Sequence, residues 1–477
     1  MNDDVFFAGI AELNERLKKH EFSTVELVRA FSERLQALGP RYNALALPLP
    51  QIAVRRAKQV DEELKRERYR GPLQGIPFGA KDLLSFAGQL TTWGAKPFAS
   101  QVFDESATVL QKLDKTGSVL IGKLAMVELA GGPAYRMASA SMFGPGLNPW
   151  DRTRWSGGSS SGSGSAVAAG LVPFALGSET SGSILTPSAF CGITGLRPTY
   201  GLVSRHGAMP LAWTMDKIGP MCRTAEDCGL VLQAIAGGDS QDPGSAGKSF
   251  YYTPQYARKV SDLKVGFAPV DLDWVEAEAR PAFDAALQVI RATGVQMGEV
   301  KLPEFPYGTL TSVIVSSEGS SVFESLIRSG RVNELADERQ IEGLKAGLEI
   351  PASDYLKAMR IRSLVKQKFR EMFADIDVIV APSRFGIAPK VSDPLDGGAD
   401  RNDASQNRPA SPGTTSLIPA GNLAGLPALS LPCGFSQGMP VGLQMVGPPF
   451  SENTLLALGR EFQNRTDWHK RRPPIGE

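Results

Sequence analysis

Histidine and cysteine are scarce in this chain, with three of one and four of the other among 477 residues. The cysteines (Cys191, Cys222, Cys228 and Cys433) have neither zinc spacing nor the density of a disulfide scaffold, so they read as buried or incidental thiols. Charge of either sign is also not in excess: 51 Lys+Arg stand against 50 Asp+Glu. That balance offers no basic field for a nucleic acid and no acidic tail, so no nucleic-acid partner is expected. No apolar run approaches the roughly 18–20 residues that span a bilayer. The N-terminus, MNDDVFFAGIAELNERLKKH, carries acid where a secretory leader carries base. These absences lead to the expectation of a cytoplasmic monomer or homodimer with no membrane partner.

What is present is helix signal first and strand signal later. Ser23-Thr24-Val25-Glu26 reads as a capping box opening the helix VELVRAFSERLQALG, and a charged helix is expected over roughly 51–68. From Gly71 short apolar runs bounded by Gly and Pro take over: GIPFGAKD, GSVLIGK, LVPFALGSE, LKVGFAP, ADIDVIVAPS and LPALSLPCGF. Amphipathic helices, TAEDCGLVLQAIAGG among them with Thr224 as its cap, lie between these runs. The expected fold class is α/β: a single large domain whose mixed, mostly parallel twisted sheet is covered by helices on both faces. An N-terminal helical segment, 1–70, packs on the core domain, 71–477. Within that domain the polar stretch 388–415 reads as a long surface loop, either lid or insertion.

Residues 155–164, WSGGSSSGSG, admit several chemistries. A phosphate-binding loop needs a Lys-Ser/Thr pair closing the glycines, and none is there. A dinucleotide fingerprint needs a preceding strand, and NPWDRTRW does not read as one. A flexible linker would not run on into AVAA, a helical segment. What remains is tight backbone around hydroxyl side chains. Downstream, LVPFALGSETSGS ends a strand on a Gly-containing turn, where Ser183 is a candidate nucleophile. The N–H groups of Thr180, Ser181, Gly182 and Ser183 are then the candidate oxyanion hole.

A serine nucleophile needs a base. His20 and His469 lie in terminal segments, and only His206 is near Ser183 in sequence. Lys81 closes the run GIPFGAK, and a lysine at a buried strand end loses hydration and gains basic character at neutral pH. It equally well reaches solvent or pairs with Asp82.

Together these pieces resemble the amidase signature family over about residues 70–235 and 355–465. The resemblance is carried by GIPFGAKD, by NPWD leading to GGSSSGSGSAVAAGLVPFALGSETSGSILTPSAFCGITGLRPTYG, and by NLAGLPALSLPCGF with GMPVGLQMVGPPF. It implies a Ser–cis-Ser–Lys triad made of Ser183, Ser159 and Lys81, working through an acyl-enzyme without metal or organic cofactor. Three positions depart from the family pattern: Ser181 replaces a glycine, Leu185 stands where an arginine is usual, and Ser161 stands where glycine is commoner, the last without consequence for the chemistry. The expected activity is therefore hydrolysis of small to medium, neutral or aryl amides, with carbamate (urethane) and ester hydrolysis alongside. The expected partner is a small-molecule amide or carbamate. Met126, Gly131, Gly132, Leu185 and Trp213 are the candidate substrate-binding residues. Two alternatives are the A subunit of a glutamine-dependent amidotransferase, which GLRPTYGLVSRHG resembles, and a non-catalytic interaction module.

Overall fold

The computed structural model describes residues 1, 3–256, 258–395 and 417–475. Most of the expected 388–415 loop lies outside the described residues. The strands are β1 (Leu45–Pro48), β2 (Pro77–Lys81), β3 (Val119–Leu124), β4 (Leu147–Asn148), β5 (Asp151–Trp155), β6 (Phe174–Glu179) and β7 (Thr194–Arg197). They continue as β8 (Lys217–Cys222), β9 (Lys264–Phe267), β10 (Gln296–Glu299), β11 (Val378–Pro382), β12 (Ala428–Ser436) and β13 (Met439–Val446). Eleven of them form one mixed sheet in the order β1-β3-β2-β6-β8-β7-β12-β13-β11-β9-β10. Its flanks, β3-β2-β6 and β11-β9-β10, are parallel. Its centre is antiparallel, because β12 and β13 are joined by a tight turn and β8 runs back between β6 and β7.

Every residue of β2, β3, β6, β7, β8, β11 and β13 is buried. Alternate residues of a strand point to opposite faces, so both faces of this sheet are covered. That burial is why β2, β3, β6 and β11 read as continuous apolar runs. β10, QMGE, is a mostly exposed edge and carries no such signal.

The cap at Ser23 forms as expected: its Oγ accepts from Glu26 N–H at 3.1 Å while Glu26 Oε2 accepts from Ser23 N–H at 2.7 Å. Thr224 caps the helix Ala225–Ile235 in the same manner, accepting from Asp227 N–H at 3.0 Å. In the N-terminal region, helices Asp3–Phe7, Ile10–Lys18, Thr24–Leu38 and Pro50–Lys65 are joined by β1, which adds to the main sheet beside β3.

Two local expectations need correction. NPWDRTRW contains strand after all: β4 and β5 pair as a separate two-stranded ribbon, with Leu147 opposite Trp155. Its half-polar sequence pairs locally and needs no place in the main sheet. Helix also begins earlier than AVAA, at Ser161, inside the Gly/Ser run. A Cβ at Gly162 would lie 2.4 Å from the Ala44 carbonyl oxygen, so glycine is needed there to let this helix press against its neighbours.

Candidate active site

Lys81 ends β2, and Ser178 and Glu179 end β6 beside it in parallel register. Parallel neighbours finish at the same sheet edge, which is where open α/β sheets hold their ligands. Lys81 is fully buried. Its Nζ donates to Ser159 Oγ at 2.7 Å and to Ser178 Oγ at 2.9 Å. Asp82, next in sequence, does not pair with it: Asp82 meets Lys123 Nζ at 2.9 Å and accepts from Thr92 N–H at 2.9 Å. Loss of hydration pulls the Lys81 pKa down to about 7 against the opposing pull of Asp216 and Glu179. A substantial share of Lys81 is then free amine at neutral pH.

Ser159 follows a cis peptide bond, Gly158–Ser159. Gly157 has φ +88°, and a Cβ there would sit 2.6 Å from Pro187 Cα, so the turn admits only glycine. Ser160 N–H donates to the Ser183 carbonyl at 3.3 Å, drawing the two halves of the motif together. Among the described residues no hydrogen bond joins the Ser159 and Ser183 hydroxyls. Such contacts often tighten only once substrate is bound.

Ser183 lies in the turn between β6 and the helix Leu185–Cys191 and lines a cavity of about 360 Å³. Glu179 shapes that turn: its Oε2 accepts from the N–H groups of Ile184 and Leu185 at 2.9 and 3.0 Å. Among the described residues the N–H groups of Thr180, Ser181, Gly182 and Ser183 have no internal acceptor. They are thus available to an oxyanion. Glu179 is held in place by Arg197 at 2.9 Å and by Asn422 Nδ2 at 2.8 Å. Asn422 Oδ1 in turn accepts from Lys217 Nζ at 2.6 Å. Burial alone would raise the Glu179 pKa, but Arg197, Lys217 and Asn422 outweigh it and bring it to about 2. Glu179 stays charged at any ordinary pH.

Gly131 and Gly132 line the Ser183 cavity with Tyr135, Trp155, Thr180, Ser181, Thr311, Ser312, Arg339 and Arg384. Trp213 lines a neighbouring cavity of about 500 Å³ with His206, Ser178 and Lys217. Thr180, Ala130 and Leu211 stand on the wall between the two. Met126 and Leu185, expected on the pocket wall, are instead fully buried in the hydrophobic core. Leu185 opens a helix whose residues are all buried, so its side chain turns away from the cleft. Its departure from the family pattern therefore bears less on substrate choice than the sequence suggests.

Glu179, Ser178, Leu129 and Ala130 carry no role in the sequence reading. A carboxylate closing the apolar strand FALGSE was the available signal for Glu179, since such a charge needs partners. In the loop, Leu129, Ala130, Gly131 and Gly132 have φ of +49°, +56°, +96° and +50° in succession. Left-handed leucine and alanine cost free energy, and such residues gather at functional sites. Glu128 anchors this loop, its carboxylate accepting from the N–H groups of Ala336 and Asp337 at 3.0 Å.

Residues 26–456 match the family model described as Amidase. The chain belongs to the amidase signature family. Its solved neighbours include the peptide amidase from Stenotrophomonas maltophilia, with TM-score 0.83, 29% identity and 98% of each chain covered. It is thus an amidase-signature enzyme acting on C–N bonds. Its curated relatives include the A subunit of the glutamyl-tRNA(Gln) amidotransferase of Carboxydothermus hydrogenoformans, 35% identical over 99% of this chain and 100% of the relative. The protein of the same name from Geobacillus kaustophilus is 37% identical over 99% and 100%.

These relatives overturn two expectations. The stand-alone hydrolase of neutral or aryl amides and carbamates gives way to the reading kept as its alternative, one component of an amidotransferase. The expectation of a monomer or homodimer with no nucleic-acid partner fails with it, because the relatives are subunits of an enzyme named for a tRNA. Net charge misled here because a near-neutral subunit can leave the binding of a polyanion to its partners. No helix among the described residues is long and apolar enough to cross a membrane.

Proposed function

We propose that this chain is the A subunit of a glutamine-dependent amidotransferase acting on glutamyl-tRNA(Gln), and that it releases ammonia from glutamine. The end-to-end match to subunits of that name carries the reading. In this scheme neutral Lys81 takes the proton of Ser159, Ser159 takes that of Ser183, and Ser183 attacks the amide carbonyl. The oxyanion is received by the N–H groups of the Thr180–Ser183 turn. Ser159 passes a proton to the departing ammonia, and water then releases glutamate from the acyl-enzyme by the reverse relay. The buried lysine with a pKa near 7, 2.7 Å from Ser159, suits this role.

The test is glutamine hydrolysis by the chain purified with the proteins that accompany it in its host, with and without glutamyl-tRNA(Gln). Ammonia release and tRNA amidation are expected, and Ser183→Ala is expected to lower both by roughly 10⁴-fold or more. An intact complex that leaves glutamine untouched would refute the reading.

A further inference from the structure

The turn that carries the candidate oxyanion hole has little of its own to hold its shape. Among the described residues the N–H groups of Thr180 to Ser183 meet no internal acceptor, which frees them for an oxyanion but leaves the turn without a ladder. Its later half is fixed in other ways. The Gly182 carbonyl accepts from Thr186 N–H at 2.8 Å, the Ser183 carbonyl accepts from Ser160 N–H at 3.3 Å, and Glu179 holds the two N–H groups that follow. The first half, Thr180 and Ser181, makes one hydrogen bond among the described residues: Thr180 Oγ1 donates to Asp216 Oδ1 at 2.6 Å.

Asp216 stands just before β8, whose first residue, Lys217, lies opposite Glu179 in the antiparallel register. The chain thus leaves β6 and enters β8 at one place, where a carboxylate at 216 reaches a side chain at 180. Its other oxygen, Oδ2, accepts from the N–H groups of Leu211 and Ala212 at 2.8 and 3.0 Å. One carboxylate therefore ties together Thr180 and the backbone of Leu211, two of the residues on the wall between the cavities. An oxyanion hole accelerates a reaction only when its donors already point to where charge develops, since turning them during the reaction would cost what they supply.

We infer that Asp216 is a positioning residue for the oxyanion hole, fixing the first half of the Thr180–Ser183 turn through the Thr180 hydroxyl. The inference rests on reading Ser183 as the nucleophile and is independent of which amide is cleaved.

The test uses the chain purified with the proteins that accompany it, at a pH well above 7, because the Asp216 charge also supports the Lys81 pKa. Thr180→Val removes the hydroxyl, keeps the shape and leaves that charge in place. Asp216→Asn retains a single acceptor oxygen, which can serve Thr180 or the Leu211–Ala212 pair but not both. Active sites are counted by complete labelling of Ser183 with a fluorophosphonate. Per labelled site, both variants are expected to lower kcat for glutamine roughly 10- to 100-fold while KM changes little, because the hole acts on the transition state. The rate of Ser183 phosphonylation should fall with kcat, since the phosphonyl oxygen takes the place of the oxyanion. Thr180→Ser keeps the hydroxyl and should stay near the parent. The double variant should be no slower than the slower single one, as both break the same bond. An unchanged kcat in Thr180→Val, a loss confined to KM, or a Thr180→Ser as slow as Thr180→Val would each overturn the inference. Thr180→Val carries the test alone if Asp216→Asn fails to fold. A parent labelled at Ser183 that leaves glutamine intact would refute the glutaminase reading alone, and the phosphonylation rates would then decide this inference. A parent that is not labelled at Ser183 would refute both.

Discussion

Lys81 and Lys123 lie on adjacent parallel strands, with Ala80 of β2 opposite Lys123 of β3. One step apart in register, they point to opposite faces of the sheet, and both are fully buried. Their partners differ. Lys123 meets the Asp82 carboxylate at 2.9 Å, so its charge is answered by an opposite one. Lys81 meets the hydroxyls of Ser159 and Ser178, which solvate an ammonium without neutralising it. Burial pulls both pKa values down, but only Lys123 has a carboxylate in contact to oppose the pull. Burial makes a lysine expensive to charge, and the partner decides whether the cost ends in an ion pair or a base.

The comparison breaks most visibly on substitution by a residue of similar shape. Lys81→Met should lower kcat by roughly 10²- to 10⁴-fold, the range of general-base contributions. Its melting temperature should hold or rise, since an apolar chain replaces a buried amine. Lys123→Met should do the reverse, leaving Asp82 buried without its cation and costing about 3–5 kcal/mol of stability. Activity per folded molecule should stay near that of the parent. Thermal melts beside glutamine turnover read both effects. Equal loss of stability in the two variants would show that Lys81 is as structural as Lys123.

The two lysines also mark what the sequence made legible. Lys81 could be read because it closes a Gly-bounded apolar run and belongs to a motif that includes Ser159 and Ser183. That Asp82 belongs to Lys123, 41 positions away, could not be read from adjacency. Most strands buried on both faces announced themselves as apolar runs, but β8, equally buried, opens on Lys217, whose ammonium donates to Asn422 Oδ1, 205 residues downstream. Gly131 and Gly132 reached the cleft, while Met126 and Leu185 did not, because sequence does not say which way a buried side chain turns.

The finest test concerns the hydroxyls that distinguish Lys81. A base works only when unprotonated, so kcat/KM should rise about tenfold per pH unit below about 7 and level off above it. Ser178 Oγ accepts from Lys81 Nζ, and an acceptor binds an ammonium more strongly than a neutral amine. Ser178→Ala removes that preference for the charged form, so the pKa should fall further and the rising limb should move to lower pH. A bond worth about 1 kcal/mol corresponds to a shift below about one pH unit. The plateau should change little, since Ser159 still faces the amine at 2.7 Å. Movement of the limb to higher pH would mean that Ser178 acts on Lys81 by some route other than accepting its proton, and the contrast with Lys123 would lose its electrostatic basis.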